Sequence, residues 1–246
     1  MAEFVCIRGH TFLRQIGPTP LVVDVGANHG AFSRTCEVEF GARTILVEAN
    51  PDLTAMLRSR YQNVLGCAVS GEDGVAEFNL SDNHEASSLY TLPETSQFGG
   101  RYLGTVEVPV RRLDGLLKGF DQGPIAVLKL DIEGGEFAAL RSLSGPLHHL
   151  PAQITVEFHS AREFGLALGS ELAPTLVHMK RLGFIAIDFS APRHMDVLFV
   201  NPEFHPAGRF RRLYWALRYQ LVAPYVRALR YRLKLRSRLK QLLHVV

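Results

Sequence analysis

The stretch Leu21-Val22-Val23-Asp24-Val25-Gly26-Ala27-Asn28-His29-Gly30 joins a short apolar, β-branched run to a turn carrying two glycines. A helix-compatible segment follows from Ala31 to Phe40. A buried strand leading through a glycine-rich turn into a helix is the opening unit of a nucleotide-type α/β fold. Gly26 and Gly30 permit positive φ and close backbone approach, and the helix start beyond favours electron-rich ligand groups. The spacing is Asp-x-Gly-x-Asn-x-Gly, not the Gly-x-Gly-x-x-Gly that seats a pyrophosphate. An anion site would not welcome Asp24 two positions before the first glycine, whereas a cationic ligand group would.

Outward from this unit, short apolar strands alternate with helices. Thr44 to Val47 is a second strand, closed by Glu48 and the turn Asn50-Pro51, with Asp52 expected to cap a helix to about Arg60. Val64 to Val69 reads as a third strand, and Gly74 to Leu80 and Val106 to Val110 as extra extended segments. Ile125 to Leu130 is the most apolar strand, interrupted only by Lys129, which needs a partner carboxylate if buried. A helix from Glu136 to Leu143, a strand from Ile154 to Phe158 and a helix from Glu171 to Leu182 follow. Phe184 to Asp188 and Asp196 to Val200 close the pattern as a strand pair. The alternation predicts a doubly wound, mainly parallel sheet covered on both faces. Ser81 to Gly104, rich in Ser, Gly, Asn and Thr, is the one long loop and reads as a lid or binding loop. No internal repeat is present.

At 246 residues, the chain suits one domain over residues 1–207 with a basic helical extension over 208–246. Three scattered cysteines, Cys6, Cys36 and Cys67, give neither a disulfide framework nor a zinc knuckle and fit a reducing compartment. No apolar run has the length of a membrane span, and the N-terminus lacks a signal-peptide core. The expected location is cytoplasmic. The net charge of +3 hides a division: from Arg209 onward there are eleven Lys or Arg and no acidic residue. The rest holds sixteen basic against twenty-four acidic residues, a net of −8.

The opening unit also narrows the ligand. Glu48, at the end of the second strand, is placed to accept both hydroxyls of a ribose. A nucleoside that also carries an ammonium and a sulfonium satisfies both Glu48 and Asp24, and S-adenosylmethionine is such a ligand. Two alternatives stand beside it: a nicotinamide-dependent oxidoreductase on a related sheet, and a non-catalytic cofactor-binding protein.

The motifs DVGANHGAFS (24–33), VEANP (47–51), AVS (68–70), SSL (87–89), VRRLDGLL (110–117), VLKLDIEGGEFAALRSL (127–143) and ITVEFH (154–159) follow in order. In that order and spacing the chain resembles the FkbM-type methyltransferases over roughly Leu21 to His159, and more weakly through DVLFV at 196–200. The resemblance implies a class I, Rossmann-like methyltransferase with a seven-stranded sheet, methylating a hydroxyl oxygen of a sugar, glycolipid or natural product. The family usually reads E-P-x-P after the second strand, and here it is Glu48-Ala49-Asn50-Pro51. By position, Asp24, Gly26, Asn28 and Gly30 are expected at the methionine end of the cofactor, Glu48 at the ribose, and Ala68 to Ser70 beside the adenine.

Ligands in such sheets sit at the carboxyl ends of the strands, where Asp131 and Glu157-Phe158-His159 fall. His159 is expected to act as the base, because an imidazole near neutrality can accept a proton without metal help. Asp131 is expected to bind the acceptor or a cation. Asp131 and Glu157 also suit Mg²⁺, which the sequence does not require. Glu133 lies in a glycine-rich loop, and Glu136 reads as first-turn helix charge.

In the tail, Phe210, Leu213, Tyr214, Leu217 and Leu221 form one apolar helix face, with Arg211, Arg212 and Arg218 off it. Three readings stay open: attachment to anionic membrane, contact with an acidic partner or oligomer mate, and packing on the protein's own acidic surface. No base-reading motif accompanies the charge, so no nucleic acid is expected. The oligomeric state is not legible.

Overall fold

The structure, a computed structural model, describes residues 4–82, 87–90, 101–120, 123–159, 171–190 and 195–204. The expected tail and the predicted boundary at residue 208 lie outside the described residues, as does most of the Ser81–Gly104 loop.

The chain starts with a hairpin of β1 (Phe4–Ile7) and β2 (His10–Leu13). The first half of the main sheet follows: β3 (Leu21–Val25), α1 (Ala31–Phe40), β4 (Arg43–Glu48), α2 (Pro51–Arg58) and β5 (Val64–Gly66). Next come β6 (Ala68–Ser70), β7 (Gly74–Ser81), β8 (Tyr102–Arg112) and α3 (Leu113–Lys118). The second half is β9 (Ile125–Leu130), α4 (Glu136–Arg141), β10 (Gln153–Phe158), α5 (Leu172–Leu182), β11 (Ile185–Asp188) and β12 (Met195–Val200).

The main sheet has the order β11-β12-β10-β9-β3-β4-β5. Its pairs are parallel except those of β12, which runs against both its neighbours. From β3 the chain moves outward to β4 and β5, then returns to the other side of β3 at β9. The order therefore reverses between β3 and β9, and a crevice opens at their carboxyl ends.

Side chains alternate across the sheet. Val23, Val25, Leu128, Leu130, Val156 and Phe158 face a core closed by Phe137 and Leu140 of α4 and Met179 of α5. Val22, Val127, Leu198 and Val200 face the other way, onto Phe32 and Cys36 of α1 and onto Ile7, Phe12 and Leu13 of the hairpin. The hairpin is clasped by Gln153 of β10, whose fully buried amide accepts from Leu13 N at 2.7 Å and donates to Leu13 O at 3.4 Å.

Three elements differ from the sequence reading. The run Val64 to Val69 is two strands: β5 ends the main sheet, and β6 joins β8 and β7 in a separate three-stranded sheet. The break falls after Gly66, where a Cβ would lie 3.0 Å from Thr54 of α2. The cap of α2 is Asn50, not Asp52: its Oδ1 accepts from Asp52 N and Leu53 N. The hairpin itself was not anticipated.

Candidate functional site

At the crevice lies a cavity of about 470 Å³, within the size range of small-molecule sites. One wall is the turn after β3. Gly26 N and Ala27 N donate to Val47 O at 3.0 and 3.1 Å, which folds the turn across β4. Gly26 has φ +77, and a Cβ there would sit 1.8 Å from the carbonyl oxygen of Asp131, so only glycine lets the ends of β3 and β9 approach this closely. Asn28 adopts φ +50. Its N–H donates to Glu48 Oε2 at 2.8 Å, and its buried Oδ1 has no hydrogen-bond partner.

Glu48 itself is buried, and Asn50 N donates to its Oε1 at 2.8 Å. Burial pushes its carboxyl above the ordinary value, against the opposing pull of those two amides and of Lys129. Cys67, Ala68, Val69 and Phe78 supply an apolar wall beside it.

The floor is charged. Asp24 and Lys129 are register neighbours on β3 and β9, so their side chains share one face. Lys129 Nζ lies 3.2 Å from Asp24 Oδ1 and 3.5 Å from Asp131 Oδ2, and donates to Gly26 O at 2.6 Å. Burial works to lower its pKa, but Asp24 and Asp131 outweigh it and hold the ammonium above the usual lysine value. Burial likewise works to raise Asp131, yet Lys129, His10 and His159 bring it below the usual carboxylate range. Lys129 thus has the partner that its buried strand required.

A further part of the lining is a carboxylate and imidazole cluster. Glu133, at φ +55, and Gly134, at φ +108, bend the chain after β9. Ser88 Oγ donates to Glu133 O at 2.5 Å, so the SSL segment braces this turn. Nε2 of His159 lies 3.2 Å from Glu133 Oε2 and 3.8 Å from Asp131 Oδ1. Nδ1 lies 2.9 Å from Oε1 of Glu136, which is fully buried and also accepts from Ile132 N and Gly134 N. Burial alone would lower the His159 pKa, but Glu136 and Glu133 lift it well above an ordinary histidine. Burial and the neighbouring carboxylates hold Glu133 well above the usual carboxylate range, despite His159.

Of the residues expected at the site, Gly26, Asn28, Glu48, Ala68, Asp131, Glu157 and His159 line this one cavity. Asp24 lies beneath the floor, fully buried, with Ser33 Oγ donating to it at 2.7 Å. Gly30 faces Leu57 and Tyr61 instead, and Ser70 does not line the cavity. His159, expected as the base, stands on the cavity wall with both ring nitrogens facing carboxylates. Glu136 is more than helix charge, since it orients that ring. The sequence reading missed Arg8 and His10, which the hairpin brings to the cavity. The signal was the short dipeptide Arg8-Gly9 between two apolar runs.

A mainly parallel sheet with one reversed strand, opening an acid-lined cleft at its switch point, is the architecture of the class I methyltransferases that use S-adenosylmethionine. The chain belongs to the FkbM methyltransferase family: the model of the methyltransferase FkbM domain matches residues 24–186. That assignment removes the oxidoreductase alternative. No curated protein matches the chain significantly.

Solved structures similar to it include a TehB-like SAM-dependent methyltransferase from Corynebacterium glutamicum, at 11% identity and TM-score 0.40, covering 75% of this chain and 82% of that one. A precorrin-6y C5,15-methyltransferase from Geobacter metallireducens is 11% identical, with TM-score 0.37 and coverage of 76% and 81%. A phosphoethanolamine N-methyltransferase 2 from Haemonchus contortus, in complex with S-adenosyl-L-methionine, is 10% identical, with TM-score 0.35 and coverage of 68% and 34%.

The cavity fits that cofactor. The unpartnered Oδ1 of Asn28 offers an acceptor to an ammonium, Glu48 offers its remaining lone pairs to a diol, and the carboxylate excess favours a cationic ligand.

Proposed function

We propose that the protein transfers a methyl group from S-adenosylmethionine to a hydroxyl oxygen of a sugar, glycolipid or related natural product. The observation that carries this reading is the group Asp131, Glu133, Glu157 and His159, which lines the same cavity as the turn of Gly26 and Asn28. The cofactor supplies an electrophilic methyl on a sulfonium, a leaving group that needs no protonation. What the protein must supply is alignment and a destination for the acceptor's proton.

Glu133 lines the cavity, and its carboxylate touches His159. We assign it the proton: the acceptor O–H bond breaks toward Glu133 as the oxygen–carbon bond forms. The electron pair of the breaking carbon–sulfur bond stays on sulfur. His159, steadied by Glu136, sets the position of Glu133 rather than accepting the proton itself.

The same carboxylates argue against an amine acceptor. They would stabilise its ammonium form and withdraw the lone pair that nitrogen needs for attack. A neutral hydroxyl meets no such penalty. The test is incubation of the full chain with methyl-labelled S-adenosylmethionine and a panel of sugars, amino sugars and simple amines. Label in a base-stable O-methyl ether is the expected result. Transfer to amines alone would overturn the hydroxyl reading.

A further inference from the structure

His10 is the odd residue of the cavity. It comes from the hairpin, before the matched family domain, and its ring is 1% exposed. Its Nε2 makes only a long 3.4 Å contact with Asp131 Oδ2, and its buried Nδ1 has no hydrogen-bond partner. A buried imidazole left this poorly satisfied calls for a ligand that the cavity would provide. Ligand atoms of His10, Asp131 and Glu157 all lie within 4.8 Å of one another. Donors around one divalent ion at about 2.0–2.3 Å stand roughly 3–4.5 Å apart, so a small adjustment brings the three onto a single ion.

We propose that His10, Asp131 and Glu157 bind one divalent transition-metal ion, of the Mn²⁺ or Fe²⁺ type, on the acceptor side of the cavity. One imidazole with two carboxylates is a mixed nitrogen and oxygen set, which favours such ions over Mg²⁺. Three protein ligands leave open positions, where an acceptor hydroxyl would be oriented and made more acidic. The ion's role in turnover rests on the methyl-transfer reading, whereas its binding does not.

The test uses the full chain after chelation, titrated with Mn²⁺ alone and followed by electron paramagnetic resonance and calorimetry. One saturable site is expected, at least about tenfold tighter for Mn²⁺ than for Mg²⁺. Glu157→Gln and His10→Ala should each weaken Mn²⁺ by about tenfold or more, while S-adenosylmethionine affinity and melting temperature stay near the wild-type values. His10→Gln covers the case in which the alanine variant unfolds. No saturable Mn²⁺ site, or affinity unchanged in the folded variants, would overturn the proposal; equal affinity for Mg²⁺ would remove His10 from the ligand set. Mn²⁺ binding without any S-adenosylmethionine binding would instead strike the methyl-transfer reading and leave the metal site standing.

Discussion

Oε1 of Glu136, on a side chain with no solvent exposure, lies 2.9 Å from Nδ1 of His159 and also accepts Ile132 N and Gly134 N. One carboxylate thus holds both the loop after β9 and the ring at the end of β10. Glu136→Gln keeps an acceptor for the amides but removes the charge facing His159. Turnover should fall roughly 10- to 100-fold, with the dissociation constant of S-adenosylmethionine unchanged by calorimetry. Glu136→Ala leaves two buried amides without a partner and should cost about 2–4 kcal/mol in denaturant unfolding. Wild-type turnover in the Gln variant would show that Glu136 is only structural.

Glu48 holds Asn28 N and Asn50 N with its two oxygens. If the same carboxylate takes the ribose diol, Glu48→Ala should weaken S-adenosylmethionine and its demethylated product alike, by about 1.5–3 kcal/mol. Glu48→Gln separates the two duties, since it can still serve an amide but loses the charge. Calorimetric affinities equal to wild type in folded variants would refute the ribose assignment.

Gly26 and Gly41 both have positive φ, but a Cβ at Gly26 would meet Asp131 O at 1.8 Å, whereas at Gly41 nothing lies within 4 Å. Gly41→Ala should therefore lose only the conformational term, about 1–2 kcal/mol. Gly26→Ala must also part β3 from β9 and should lower the melting temperature by several times as much. Calorimetric scans showing equal losses would mean that the strand ends can yield.

Asp114 ties α3 to the segment after α4 through Lys118 Nζ at 2.7 Å and Ser144 Oγ at 2.9 Å. Burial works to raise its pKa, but these hydrogen bonds prevail and lower it below the ordinary value. A depressed carboxylate contributes stability above its unfolded pKa of about 4, and the contribution is lost as pH falls through the folded value. Asp114→Asn should therefore be about 1–3 kcal/mol less stable than wild type at neutral pH. The gap should close below about pH 4. A gap constant with pH would assign the loss to geometry rather than charge.

We also propose, from the sequence alone, that the basic tail binds anionic lipid. Each Lys or Arg near such a surface contributes roughly 1 kcal/mol, falling with salt. Among the described residues no helix is long and apolar enough to cross a membrane. Co-sedimentation should show binding to anionic but not neutral vesicles, weakened by salt and lost on truncation after Gly208. Indifference to anionic vesicles at low salt would favour a docking or oligomerisation role.

The elements legible in the sequence are those with a strong local signature. Leu21–Val25, Ala31–Phe40 and Ile125–Leu130 occur as read, because apolar runs and glycine turns bound them on both sides. Gly66 was legible only in retrospect: a lone glycine in an apolar run can end one sheet and start another. The gathering of Asp131, Glu157 and His159 could be inferred from strand ends. The pairing of His159 with Glu136 could not, since it depends on how α4 sits over β10. The hairpin escaped because its two four-residue strands are stabilised by distant partners, Gln153 and Phe32, rather than by their own pattern.

That hairpin is continuous in sequence, although its packing partners are distant. Arg8 and Gly9, with φ of +50 and +97, make a two-residue turn, and Ile7 pairs directly with His10. Gly26, Asn28 and Glu48, which we propose face the methyl donor, lie on other stretches of chain. If the acceptor sits beside Arg8 and His10, its choice can drift through exchanges at those two turn-side positions while Phe12 and Leu13 keep the packing. On that reading, grafting a relative's Arg8–His10 turn between the retained strands should carry selectivity with it, making the turn a handle for redirecting the enzyme.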